Sequence, residues 1–116
     1  MDRKSELKRA YKETPKKMGV YRVFNRQSGR SLLECGRDVE ARLNRHMTEL
    51  RFGSHRNRAL QEDWNRLGAD AFAFEIVELL KPLDERDHDP TNDLEALLEL
   101  TRENEEFAPA KLYDRS

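Results

Sequence analysis

Residues 19–35 read GVYRVFNRQSGRSLLEC, and the fold turns on whether this stretch is a β-hairpin. From Gly19 to Asn25 the run carries Val20, Tyr21, Val23 and Phe24, types that suit a pleated, half-buried surface. The six residues 25–30, NRQSGR, have turn composition, and Gly29 is available for a positive φ. The apolar run from Ser31 to Cys35 is therefore expected to pair back on the first strand.

Helical spacing follows the hairpin. Asp38 is a plausible N-cap for VEARLNRHMTEL, where Val39, Leu43, Met47 and Leu50 recur at four, four and three residues and form one apolar face. Gly53 breaks that pattern, and it restarts in NRALQEDWNRLG with Asn57 as cap, Leu60, Trp64 and Leu67 as stripe and Gly68 as stop. AFAFEIVELL then alternates, with Phe72, Phe74, Ile76 and Glu78 on one face and Ala73, Glu75, Val77 and Leu79 on the other, as a third strand does. Before the hairpin, Ser5 caps a first amphipathic helix with Leu7, Ala10 and Tyr11 on its stripe.

The expected order is α-β-β-α-α-β-α, an α+β fold whose small, three-stranded, mostly antiparallel sheet is flanked by helices. It reads as a single domain over residues 1–116: an N-terminal helix at 1–14, a core at 19–79, an acidic loop at 81–93, a terminal helix at 94–104 and an extended tail at 105–116 that Phe107, Leu112 and Tyr113 could hold down. Val20, Phe24, Leu33, Leu43, Met47, Leu60, Trp64, Phe72, Phe74 and Ile76 are expected to supply much of the core.

At 39% charged and 36% hydrophobic residues the chain must gather its apolar side chains on few faces to offset chain entropy. The net charge of −1 hides a division, since residues 1–60 carry 16 Lys and Arg against 7 Asp and Glu, while residues 61–116 carry 6 against 16. The basic half could attract a polyanion, or the two halves could pair with each other, within one chain or between copies as a homo-oligomer. A single cysteine, Cys35, excludes an intramolecular disulfide and reads as a small buried hydrophobe. There is no apolar run near 20 residues and no apolar signal segment at the start, so a cytoplasmic protein without a membrane span is expected.

The hairpin, RLNRH at 42–46, GSHRNRALQEDWNRLG at 53–68 and FAFEIVELL at 72–80 together resemble the GIY-YIG endonuclease superfamily. The likeness covers residues 19–79 and extends less closely to 104. It implies phosphodiester hydrolysis with a Tyr on the first strand, a Tyr on the second, an Arg on the following helix, and a Glu on a later helix holding Mg²⁺ or Mn²⁺. Tyr21 matches the first position and Arg42 the third, and His46 lies one turn beyond Arg42 on the same helix face.

The second half of the signature departs from the pattern. Aligned without a gap between Gly29 and Arg42, the motif falls on Leu32, Leu33 and Glu34. Leucine has no hydroxyl to move a proton, and Glu34 puts a negative charge where a phosphate is expected. On the last helix Glu95 and Glu99 bracket the metal position, while the best-matching register puts Leu98 there. The site expected from the resemblance is thus Tyr21, Arg42 and His46 as catalytic residues, Arg30, Arg37 and Arg45 as nucleic-acid contacts, and Glu95 and Glu99 as metal ligands.

Each of these residues also has a plainer reading: Tyr21 as a sheet aromatic, Arg42 as a solvated helix arginine, His46 as a hydrogen-bonded helix residue. His55 and His88 are loop residues without a second ligand at metal spacing. Asp87, Asp89 and Thr91 begin a calcium-loop spacing that fails at Asn92 and Leu98. Two functions fit: a domain with weakened or lost cleavage that binds DNA weakly and non-specifically, or binds a protein partner, and an active, divergent metal-dependent endonuclease.

Overall fold

The computed structural model describes residues 16–81, 89–104 and 107–113. The expected N-terminal helix and most of the acidic loop, including Asp87 and His88, lie outside the described residues.

The hairpin forms as read. Strand β1, Met18–Asn25, pairs antiparallel with β2, Ser31–Gly36, with Tyr21 opposite Glu34 and Val23 opposite Leu32. The loop between them is closed by Asn25, whose side-chain oxygen accepts from the Gln27 and Ser28 amides, and by Gly29 at φ 78°. Helix α1, Val39–Phe52, is capped by Asp38 accepting from the Ala41 amide and ends in a left-handed Gly53. Helix α2, Arg58–Leu67, is capped by Asn57 accepting from the Leu60 amide. A short 3₁₀ turn leads into β3, Phe72–Leu80, and helix α3, Thr91–Arg102, follows. The last helix thus starts three residues before the expected 94 and ends two before 104.

The sheet order is β2-β1-β3, antiparallel throughout, so β1 is central and the two strands that flank it are edges. Its two faces carry separate cores. Val23, Leu32, Leu50, Leu60, Trp64 and Phe72 pack under α1 and α2, where Trp64 stands 5.3 Å from the Phe72 ring. Val20, Leu33, Leu98 and Phe107 pack on the opposite face under α3. Burial of both faces explains why β1 reads as a nearly continuous apolar run.

Several expected core residues sit differently. On α1 the buried face is Val39, His46 and Leu50, with Leu43 and Met47 only half-buried, because the helix is rotated to bring His46 down onto Tyr21. Phe24 and Phe74 are half-buried, and Ile76 is 39% exposed. In β3 the register against β1 shifts between Val20 and Tyr21: Tyr21 faces Ile76 but Val20 faces Glu78, leaving Val77 as the extra residue of a β-bulge. Glu78 therefore stands opposite Val20 instead of continuing the Phe72, Phe74, Ile76 row. The tail is held down by Phe107 and Tyr113, both buried, with the Tyr113 amide donating to the Ser31 carbonyl.

Candidate active site

Because Tyr21 and Glu34 are directly opposite on neighbouring strands, their side chains emerge on the same face of the sheet. That face is covered by α1, and His46 descends between them. The Tyr21 hydroxyl donates to Glu34 Oε2 at 2.8 Å and lies 3.1 Å from His46 Nε2, which is itself 3.3 Å from Glu34 Oε2. Tyr21 is wholly buried and His46 is 6% exposed.

The chain of contacts continues into the loop after α1. His46 Nδ1 is 2.8 Å from His55 Nε2, and His55 Nδ1 accepts from the Asn57 backbone amide at 3.0 Å. A backbone N–H can only donate, so neutral His55 carries its proton on Nε2 and gives it to His46 Nδ1. Neutral His46 then carries its own proton on Nε2, facing the Tyr21 oxygen and Glu34. Every hydrogen bond in the row from Asn57 through His55, His46 and Tyr21 therefore points toward the Glu34 carboxylate.

Electrostatics follow that geometry. Burial alone would raise the Glu34 pKa, but the hydrogen bonds from His46 and Tyr21 outweigh it and hold the carboxyl at about 2. Burial, with the Glu34 charge adding to it, pushes the Tyr21 hydroxyl far above the usual phenol range. Burial, with the neighbouring His46, pushes His55 below the usual imidazole range. Tyr21 is held as a neutral donor and Glu34 as an anion.

Arg42 belongs to the same place. A Cβ on Gly36 would lie 3.1 Å from Arg42 Cγ and 3.6 Å from the Tyr21 ring, so the arginine stem and the tyrosine flank one glycine. Beside them a cleft of about 650 Å³ opens along β2, lined by Glu34, Arg42, His55 and Arg56 on one wall and by Glu95, Leu98, Glu99 and Arg102 of α3 on the other. The structure thus brings Tyr21, Arg42 and His46 together. Arg37 and Arg45 line an adjoining hollow with Arg42, where Arg37 binds Asp89 and Thr91 and Arg45 pairs with Glu49 one turn away, while Arg30 lies apart over the Tyr113 ring at 4.4 Å.

Glu95 and Glu99 reach the cleft, but Leu98 is buried in the core between them and Glu99 pairs with Arg102 at 2.6 Å. Among the described residues no group of three His, Cys, Asp or Glu side chains could hold a metal ion. Glu34 spends its carboxylate on Tyr21 and His46. A divalent cation at this cleft would have Glu95 as its carboxylate and would complete its shell with waters and substrate phosphates.

Two site residues escaped the sequence reading. Glu34 was visible as a departure from the pattern, not as the acceptor at the end of a hydrogen-bonded row. His55 reads from sequence as a lone loop histidine, although HRNRALQEDW places it at a fixed offset from Asn57, Gln61 and Trp64. Its backbone amide donates to the Gln61 side chain, which anchors the loop to α2.

A three-stranded antiparallel sheet with this order of helices and this hairpin is the fold of GIY-YIG nuclease catalytic domains. Among solved structures the chain is similar to the catalytic domain of the homing endonuclease I-TevI, at 20% identity and a TM-score of 0.65, over 85% of this chain and 98% of that one. A point mutant of the same intron endonuclease domain matches at 21% identity and a TM-score of 0.66, over 84% and 92%. No protein-family model and no curated protein sequence matches the chain.

Proposed function

We propose that residues 1–116 form a single nuclease-fold domain that has given up phosphodiester hydrolysis and serves as a cytoplasmic, phosphate-backbone-binding module. One observation carries this reading: the only tyrosine at a signature position is buried and donates its proton to Glu34. General base catalysis needs a hydroxyl that can lose its proton near the operating pH, and a buried phenol beside a carboxylate is driven the other way. Leu32 supplies no second hydroxyl, and the described residues hold no three-ligand metal cage. The cleft sets arginine beside carboxylate, Arg42, Arg56 and Arg102 with Glu34, Glu95 and Glu99, and since Arg102 pairs with Glu99 the phosphate reading rests on the forks of Arg42 and Arg56.

The hydrogen-bonded row through Tyr21, His46 and His55 favours a second reading, a divergent endonuclease using Tyr21, Arg42, His46 and a helix-borne Glu with Mg²⁺ or Mn²⁺. Incubation with supercoiled plasmid and either cation separates the two. The proposal expects no nicking above background, with retarded migration of duplex DNA at low salt that fades as salt rises. Nicking abolished by Arg42→Ala would replace it with the second reading. Absence of any DNA binding at low salt would instead favour a protein-binding role for the fold.

A further inference from the structure

Two donors, the Tyr21 hydroxyl and the His46 Nε2–H, converge on one carboxylate oxygen at 2.8 and 3.3 Å. The direction of both protons is fixed from behind, because the Asn57 amide sets the tautomer of His55 and His55 sets that of His46. The pair therefore presents hydrogen to whatever lies in front of it. Arg42 beside the Tyr21 ring and Arg56 on the same wall of the cleft add positive charge, Arg42 at the Tyr21 hydroxyl and Arg56 at the Glu34 carboxylate. Such a set of buried, oriented donors is selective for an oxyanion, and here the oxyanion belongs to the chain. Glu34 stands directly across the hairpin from Tyr21, the position from which its side chain reaches the donors without leaving the strand.

We propose that the Tyr21 hydroxyl and the His46 Nε2–H form a binding site for a phosphate oxygen, and that the Glu34 carboxylate is a tethered occupant that closes it. The inference rests on the phosphate-binding reading above and deepens it by naming the atom that competes with the ligand. A covalently attached anion holds a far higher local concentration than any free one, so the wild-type cleft engages phosphate through its arginine rim alone. Removing the carboxylate leaves a charge-complementary hole of the size of one oxygen, with its donors still oriented by the two histidines.

The test titrates inorganic phosphate and, separately, a blunt 20-base-pair duplex into the wild type, Glu34→Ala, Glu34→Gln and the double variant Tyr21→Phe with Glu34→Ala, with circular dichroism and thermal melting confirming the fold. Glu34→Ala is expected to bind phosphate about tenfold more tightly than wild type, the scale of one charge-assisted hydrogen bond regained. Glu34→Gln, which keeps the volume but not the charge, gains about threefold, and the double variant loses most of the gain. A stronger effect on duplex than on inorganic phosphate identifies the nucleic-acid backbone as the source; the reverse identifies free phosphate. No gain in either single variant with the fold intact, or a gain undiminished by Tyr21→Phe, overturns the inference. Collapse of both single variants makes Glu34 a structural support and overturns it too. Wild-type binding of the duplex is read independently, so a wild type that binds with no gain in the variants sinks the tethered-anion idea alone. A gain in the variants with a wild type that never binds DNA sinks the phosphate-backbone reading alone.

Discussion

Protonation of one imidazole is enough to disturb the site from behind. His55 Nδ1 accepts from the Asn57 amide, so a proton there removes the acceptor and faces two donors toward each other. Burial holds His55 neutral in the folded chain, below its ordinary value of 6.5. The unfolded chain therefore binds more protons once the pH falls under about 6.5, and stability declines from there. Glu34 acts lower down, since its folded pKa of about 2 lies under the ordinary 4.5, so its contribution is present above 4.5 and lost between 4.5 and 2. Discounted for partial exposure, that contribution is on the order of 1–2 kcal/mol. Urea midpoints measured from pH 8 to 3 are expected to fall in two stages, and His55→Gln should remove the upper stage. A single stage in the wild type would contradict the assignment. Tyr21 and Arg42 were legible only through the family resemblance, and the four-residue spacing then put His46 on the Arg42 face. The capture of Tyr21 by Glu34 was not legible, because cross-strand contact depends on the hairpin register, which turn composition leaves open by one residue.

At the scale of the elements, the junction of β1 and β3 is the place where packing overrides pattern. Strict alternation predicted Glu78 in line with Ile76, but the bulge at Val77 rephases the strand so that Glu78 meets Val20. Gly19 makes this approach possible: a Cβ there would fall 2.0 Å from the Glu78 carbonyl oxygen and 2.9 Å from the Leu79 Cα. Backbone cannot yield as a side-chain tip can, so Gly19→Ala must open the pairing between β1 and β3. The expected cost is about 2–4 kcal/mol, read as a drop in the urea midpoint, and it should exceed that of Gly29→Ala, where the positive φ is strained but no atom lies within 4 Å. Equal effects would remove the steric account of the first glycine. Helix α2 gives the complementary case, in which sequence sufficed. Asn57, Leu60, Trp64 and Gly68 each sit where cap and stripe placed them, because local signals and tertiary packing agree there. Trp64→Ala, which empties the contact with Phe72 and Phe74, should cost about 3–5 kcal/mol.

Over the whole molecule, the C-terminal segment closes the structure through the apolar residues its sequence offers, although no periodicity fixes where they dock. Leu112 bridges to Ser31 in parallel, the Tyr113 amide donates to the Ser31 carbonyl, and the ring packs with Val23, Leu32 and Trp64 in the core under α1 and α2. Its hydroxyl donates to Asp63 at 2.7 Å and accepts from Asn25 at 3.0 Å, so one phenol joins the hairpin turn, α2 and the end of the chain. Arg30 lies over the ring from outside. Phe107 anchors the same segment in the core beneath α3, on the opposite face of the sheet, so the strap ties both cores together. Burial, with Asp63 adding its charge, raises the Tyr113 pKa to about 12, above the ordinary 10.0. In the unfolded chain the phenol ionises two units earlier, so its share of stability is complete below pH 10 and disappears as the pH climbs toward 12. Tyr113→Phe keeps the packing and removes the hydroxyl, leaving Asp63 and the buried Asn25 amide short of a partner at a cost of about 1–2 kcal/mol. Tyr113→Ala also empties core volume and should cost about 3–5 kcal/mol. The Phe variant should show a shallower stability loss between pH 10 and 12 than the wild type in urea titrations at each pH, with Tyr21 supplying what loss remains. An unchanged alkaline slope would mean that Tyr113 is held by its ring alone, and that the polar junction among Asn25, Asp63 and Tyr113 contributes nothing to closure.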